Sequence, residues 1–301
     1  MTASRTSVLQ QMADFVSGKK QGLPCPEGIH RSGLTYTDKV VMITGGSMGI
    51  GRGCAEVFVD AGAHVMIADV AGQEAADTAK ELDAKGPGKC AHQVCDVSQP
   101  QALRAAIEKA VEHYGQLDCM INNAGIHTGF RPIDDVSMED FARLFDTNFV
   151  SQFVGCQQAL PHLRKTKGNI INMSSITATL GQDGGVVYAA TKGATGAFTK
   201  SLAIEEARHG VRVNAIAPGN IYTQSRVKNI AAMGEQGVEM DRVIDQTQHF
   251  GRSGTPQEAG QVCLFLASDA ASFLTGLELY ISAGLELGFG IKYPPFVLPE
   301  D

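Results

Sequence analysis

The stretch that most restricts how this chain can fold is "KVVMITGGSMGIG", residues 39–51. A short apolar run from Val40 to Ile43 enters a glycine-rich turn. The turn opens a helical pattern that puts Ile50, Cys54, Phe58 and Ala61 on one face. The same alternation then repeats. The run "AHVMIAD" precedes helix-like "QEAADTAKELDAKG", "CAHQVCDV" precedes "QALRAAIEKAVEHYG", and "LDCMINNAG" precedes a long helical region over roughly 137–165. "GNIINMSS" and "VRVNAIAPG" flank another helix, and "LELYIS" is the last run. Strands that alternate with helices of this length are joined by crossovers and lie parallel. Their continuous apolar character suits a sheet covered on both faces. The pattern predicts a single α/β domain over 38–290, a doubly wound parallel sheet of Rossmann-like architecture.

Both ends of the chain depart from this pattern. Residues 1–37, closing on "GLPCPEG" and "RSGLTYTDK", are expected to form an N-terminal extension, with "SVLQQMADFV" as a short amphipathic helix. Residues 291–301 are expected to be a C-terminal tail.

Composition removes several function classes. A net charge of −7 carries no basic stripe, so no nucleic-acid partner is expected. No apolar run is long enough to span a bilayer. The seven cysteines are scattered, odd in number and without a CxxC pair. They read as buried thiols of a reducing compartment, and the expected location is cytoplasmic. No histidine stands at metal-ligand spacing from a cysteine, so no metal is expected.

In the turn, Gly45, Gly49 and Gly51 are spaced Gly-x3-Gly-x-Gly, with Ser47, Met48 and Ile50 between and around them. Glycines there let the backbone bend sharply and approach a pyrophosphate, and the helix that follows offers its unpaired N–H groups. The second apolar run ends at Asp69. A carboxylate in that place hydrogen-bonds the ribose hydroxyls of NAD and repels a 2′-phosphate. No Arg or Lys lies in the turn before Gly49 or directly after Asp69, so the expected cofactor is NAD. Further along, "VVYAATKGA" sets Tyr188 and Lys192 four residues apart, on one helix face, with only small residues between them.

Taken in order, these motifs resemble those of the short-chain dehydrogenase/reductase family over about 38–290. The family's Thr-Gly-x3-Gly-x-Gly stands at 44–51 and its Asn-Asn-Ala-Gly at 122–125. Its adenine-contacting pair matches Asp96 and Val97, and its active-site Asn matches Asn148 in "DTNF". Its Ser matches Ser175, with Ser174 as the neighbouring rival, and its Tyr-x3-Lys is Tyr188 and Lys192. Its Pro-Gly turn is Pro218-Gly219, with Ile221 and Thr223 just beyond. Within the family, "LPHLRKTKGNIINMSS", "GVRVNAIAPGNIYT" and "FLASDAASFLTGLELYISAGLELGFG" are most similar to the type 14 17β-hydroxysteroid dehydrogenase group, which includes an enzyme described as an L-fucose dehydrogenase.

The resemblance implies Asn148, Ser175, Tyr188 and Lys192 as catalytic residues. It implies cofactor contacts from the glycine turn, Asp69, Asp96, Val97, Asn123, Ala124, Gly125, Tyr188, Lys192, Pro218, Gly219, Ile221 and Thr223. It also implies a homotetramer. A tyrosine is a weak base at neutral pH, and a neighbouring ammonium favours its phenolate. Tyr188 is therefore expected to take a carbinol proton while Ser175 holds the substrate oxygen and Asn148 links Lys192 to solvent through a water. The loops at the strand ends nominate His127, Gln182 and Tyr222 beside Ser175 as substrate contacts, and 224–250 as a lid. The expected function is an NAD-dependent dehydrogenase of a secondary alcohol, a sugar such as L-fucose or a hydroxysteroid. Alternatives are a specialised small-metabolite enzyme and a catalytically silent NAD-binding scaffold.

Overall fold

The computed structural model describes residues 33–287, so most of the N-terminal extension and the whole C-terminal tail lie outside the described residues. The seven strands are β1 (Val40–Thr44), β2 (His64–Asp69), β3 (Lys89–Val94), β4 (Cys119–Asn122), β5 (Asn169–Met173), β6 (Arg212–Pro218) and β7 (Glu278–Ile281). They form one sheet in the order β3-β2-β1-β4-β5-β6-β7, with every pairing parallel. The order turns back on itself between β1 and β4. A crevice therefore opens there at the carboxyl ends of the strands.

Period-two alternation along β1 decides which layer each side chain joins. Val41 and Ile43 pack with Cys54, Phe58 and Leu264, on the side of α1 (Gly49–Asp60), α2 (Gly72–Lys85) and α9 (Pro256–Ala267). Val40 and Met42 pack with Leu103, Ile107 and Leu163, on the side of α3 (Pro100–Tyr114), α5 (Ser151–Thr166) and α6 (Val186–Glu206). The sheet is thus covered on both faces, and every residue of β1, β4 and β5 is buried. The edge strands differ. β3 alternates exposed and covered residues, because one of its sides has no neighbouring strand to extend the helical layer over it.

Tyr36, counted with the extension in the sequence reading, belongs to the core. Its ring meets Phe58 edge-on at 5.5 Å, and its N–H donates to the Ala61 carbonyl at 2.8 Å. The long helical region near 137–165 has a break in it: α4 (Met138–Phe145) runs into a π-helical turn (Asp146–Val150) before α5 begins. The region after β6 forms α7 (Gln224–Ala232) and α8 (Gly234–Gln246). Among the described residues no helix is long and apolar enough to cross a membrane, and no cluster of side chains has the makings of a metal site.

Candidate active site

A cavity of about 710 Å³ occupies the crevice at the carboxyl ends of the strands. One wall is the turn between β1 and α1, from which Gly45, Met48, Gly49 and Ile50 face inward. Gly51 lies behind that wall, where a Cβ would come within 2.0 Å of the Gly45 carbonyl oxygen. Ser47 also sits behind it. Its N–H and hydroxyl donate to Asp69 Oδ2 at 3.0 and 2.6 Å, and the Ala71 N–H donates to Oδ1 at 3.0 Å. The carboxylate at the end of β2 is therefore fixed in the cavity wall by three donors.

Asp96 and Val97 follow β3 into the same end of the cavity. Asn123, Ala124 and Gly125 enter from the end of β4. The Asn123 amide donates to the Thr44 and Gly45 carbonyls, both at 2.9 Å, so it braces the glycine turn. Pro218, Gly219 and Thr223 close the side beyond β6, whereas Ile221 is buried off the wall and bridges to Gly254.

The far end holds Ser175, Tyr188 and Lys192. Adjacent residues of an extended chain point to opposite sides, and this separates the two serines. The Ser174 hydroxyl donates to Glu278 Oε1 at 2.6 Å. The Ser175 hydroxyl faces the cavity beside Tyr188 and accepts from the Thr177 N–H at 3.2 Å and the Thr177 hydroxyl at 3.1 Å. Lys192 Nζ lies 5.7 Å from the centre of the Tyr188 ring and donates to the Met173 carbonyl at 2.8 Å. Burial pushes the Lys192 ammonium down to about 8. Burial also raises the Tyr188 phenol, and the nearby Ser175 hydroxyl opposes that rise. The sequence reading expected a lowered phenol. In this structure desolvation is the larger effect on it, and the lysine is engaged by a backbone carbonyl.

Asn148 is wholly buried in the π-helical turn. Its amide donates to the Ile126 carbonyl at 2.9 Å, and its Oδ1 accepts the Ile126 N–H at 2.8 Å. The loop after β4 is thereby fastened beside α6. On that loop the His127 ring packs against Tyr188 at 4.7 Å. Its Nδ1 accepts from the Gly129 N–H at 3.0 Å, which leaves Nε2 to donate to Gln182 Oε1 at 3.1 Å. Tyr222 is turned away from the cavity. Arg226 stacks over its ring at 5.4 Å and also pairs with Asp241 and Asp245 of α8.

A family model described as "Enoyl-(Acyl carrier protein) reductase" matches residues 45–286. L-fucose dehydrogenase of Oryctolagus cuniculus is 43% identical over 259 residues, 86% of this chain and 89% of that protein. L-fucose dehydrogenase of Rattus norvegicus is 42% identical, covering 88% of this chain and 96% of that protein. A solved short-chain type dehydrogenase/reductase from Mycobacterium ulcerans superimposes with a TM-score of 0.77 at 29% identity, over 84% of this chain and 91% of that one. This chain belongs to the short-chain dehydrogenase/reductase family.

As a member of that family the chain is an oxidoreductase that works with a nicotinamide cofactor, NAD or NADP, on a small-molecule substrate. The residues present fit such a cofactor. No side chain caps the N-terminus of α1, so its first N–H groups remain available to an anion beside Met48 and Gly49. The cavity extends from there to Asp69 in one direction and to Tyr188 in the other.

Several residues near the short-chain dehydrogenase/reductase site escaped the sequence reading. Arg143 and Thr147 line the cavity from α4 and the π-helical turn. Glu278 fixes Ser174. Gln152, 1% exposed, donates to the Met173 carbonyl at 3.0 Å. A signal for Gln152 was present, since it stands four residues after Asn148 in an otherwise apolar helix face.

Proposed function

We propose that this chain is an NAD-dependent dehydrogenase that oxidises the carbinol at C1 of a sugar, with L-fucose as the first substrate to test. The observation that carries the reading is the far end of the cavity, where the Tyr188 phenol, the Ser175 hydroxyl and the His127 ring converge, with Gln182 off the cavity wall and bonded to His127. That end is polar on several sides, as a polyhydroxylated ligand requires. The names of the relatives point the same way. When bound, the nicotinamide cofactor supplies the two-electron acceptor.

The protein's part is proton handling and placement. The Tyr188 oxygen, once deprotonated, takes the carbinol proton, and Ser175 holds the reacting oxygen within hydrogen-bond reach. A charged Lys192 favours the phenolate by its field. Asn148 holds the loop of Gly125 and His127 against α6 and is the residue assigned to the proton relay. Asp69 supports NAD over NADP, because a 2′-phosphate would meet its carboxylate. Arg52 is the nearest cation on α1, and it is committed to Glu81 at 2.8 Å and Glu56 at 3.2 Å. In Asp69→Ala the NAD-over-NADP ratio of kcat/KM is expected to fall by about 10². An unchanged ratio would remove Asp69 from the selectivity account.

The Gln182 amide nitrogen is the group assigned to a substrate hydroxyl beside the reacting carbon. Gln182→Ala is expected to raise the KM for the sugar about tenfold with kcat nearly unchanged, as loss of one hydrogen bond does. Steady-state rates with L-fucose check this, and an unaltered KM would contradict it. A second reading, a hydroxysteroid, draws on Phe130, which is 63% exposed and meets His127 at 5.3 Å. For assembly, a homotetramer is supported by Phe153 on α5 and Ile204 on α6, which are 45% and 80% exposed. Light scattering reads that state directly.

A further inference from the structure

We infer that Gln152 is a positioning residue that governs how tightly the Met173 carbonyl holds the Lys192 ammonium. The inference rests on the reading of Lys192 as part of the catalytic group, but its test needs neither substrate nor cofactor.

One carbonyl oxygen at the end of β5 serves two side chains. It accepts from Lys192 Nζ at 2.8 Å and from Gln152 Nε2 at 3.0 Å. The orientation of the Gln152 amide follows from chemistry. Only its NH₂ group can face a carbonyl, and its Oε1 accepts from the Thr195 hydroxyl at 3.0 Å. Gln152 is 1% exposed and Thr195 wholly buried, so water does not compete for either group. A carbonyl oxygen has two lone pairs, and each donor reduces the electron density left for the other. By taking one lone pair, Gln152 loosens the grip of that carbonyl on the ammonium.

Little else near Lys192 does the same work. On its own helix the nearest titratable group is Tyr188, whose ring is 5.7 Å away. From β7 Glu278 reaches only Ser174, whose hydroxyl lies 3.2 Å from the Lys192 carbonyl. The π-helical turn and α5 present the neutral amides of Asn148 and Gln152. The loop after β4 presents Gly125, where an added Cβ would stand 3.7 Å from Nζ. Burial is the cause that lowers this lysine, with no charged partner contributing among the described residues. The strength of its one carbonyl acceptor therefore matters to its charge. A lysine held loosely and near neutrality is able to change partners and protonation state; one held fast by the carbonyl is not.

The test is the titration of Lys192 in the protein without cofactor, followed by the NMR signal of ¹³Cε-labelled lysines and identified by its absence in Lys192→Arg. Wild-type Lys192 is expected to titrate near about 8. Gln152→Met keeps the length of the side chain and removes the donor, leaving the carbonyl to the ammonium. Its inflection is expected to rise by about half a pH unit to one unit. Gln152→Leu likewise removes the donor and adds no charge. Its inflection is expected to rise by the same amount, and it carries the test alone if the Met variant does not fold. The melting temperature of each variant reports packing separately. A purely structural Gln152 would lower that temperature and leave the inflection in place, and an unmoved inflection in a folded variant overturns the inference.

Discussion

Tyr188→Phe is expected to lower kcat/KM for alcohol oxidation by about 10³-fold, within the range that a positioned acid or base contributes. The change removes one oxygen and leaves the ring. Its packing against His127 should persist, since that contact is ring to ring at 4.7 Å. The fold and the affinity for the dinucleotide should therefore stay near wild type. What is lost is the phenol oxygen that takes the carbinol proton in the proposed geometry. The same phenol sets the pH dependence. Burial raises it above its ordinary value, so near neutrality it is held protonated. Oxidation, which needs the phenolate, should gain as pH rises towards the raised value. Carbonyl reduction, which needs the phenol, should be favoured at lower pH. Turnover of Tyr188→Phe within tenfold of wild type would mean that another group moves the proton.

The second large effect is structural. A Cβ on Gly51 would sit 2.0 Å from the Gly45 carbonyl oxygen and 2.5 Å from the Asn123 amide nitrogen that braces the turn. Neither can yield cheaply: one is backbone and the other holds both Thr44 and Gly45. Gly51→Ala must open the turn between β1 and α1, which is also the wall proposed to receive a pyrophosphate. The expected cost is about 3 kcal/mol of stability, a melting-temperature fall of about 8 °C, together with loss of measurable dinucleotide binding. Gly193→Ala on α6 is the control, because an added Cβ there meets nothing within 4 Å and helix propensity favours the change. Equal behaviour of the two variants would contradict the packing argument.

These two residues also show what was legible in the sequence. The Tyr188–Lys192 pair could be found because helical spacing alone puts residues four apart on one face. The glycine turn could be found because a strand precedes it and a helix follows. The parallel, doubly wound sheet followed from alternation and crossover rules, and Asp69 from its place at the end of the second apolar run. What remained hidden depends on contacts between segments distant in the chain. The support that Ser47 gives Asp69, 22 residues away, is one such contact. Ser174 also lines the cavity, but its hydroxyl is held by Glu278, 104 residues on. Tyr222 carries an ordinary loop signal, and its direction is decided by Arg226 and two acids of α8. The burial that raises the Tyr188 phenol is likewise hidden, because neighbours along a helix can be read from sequence, whereas burial cannot.

The measurement that tests the central claim most directly is the initial rate of the purified protein with NAD and with NADP, against L-fucose, other aldoses, estradiol and simple secondary alcohols. The account predicts oxidation of L-fucose with NAD in clear preference to NADP, and little turnover of the steroid. Preference for NADP, or turnover of the steroid with none of the sugars, would contradict it.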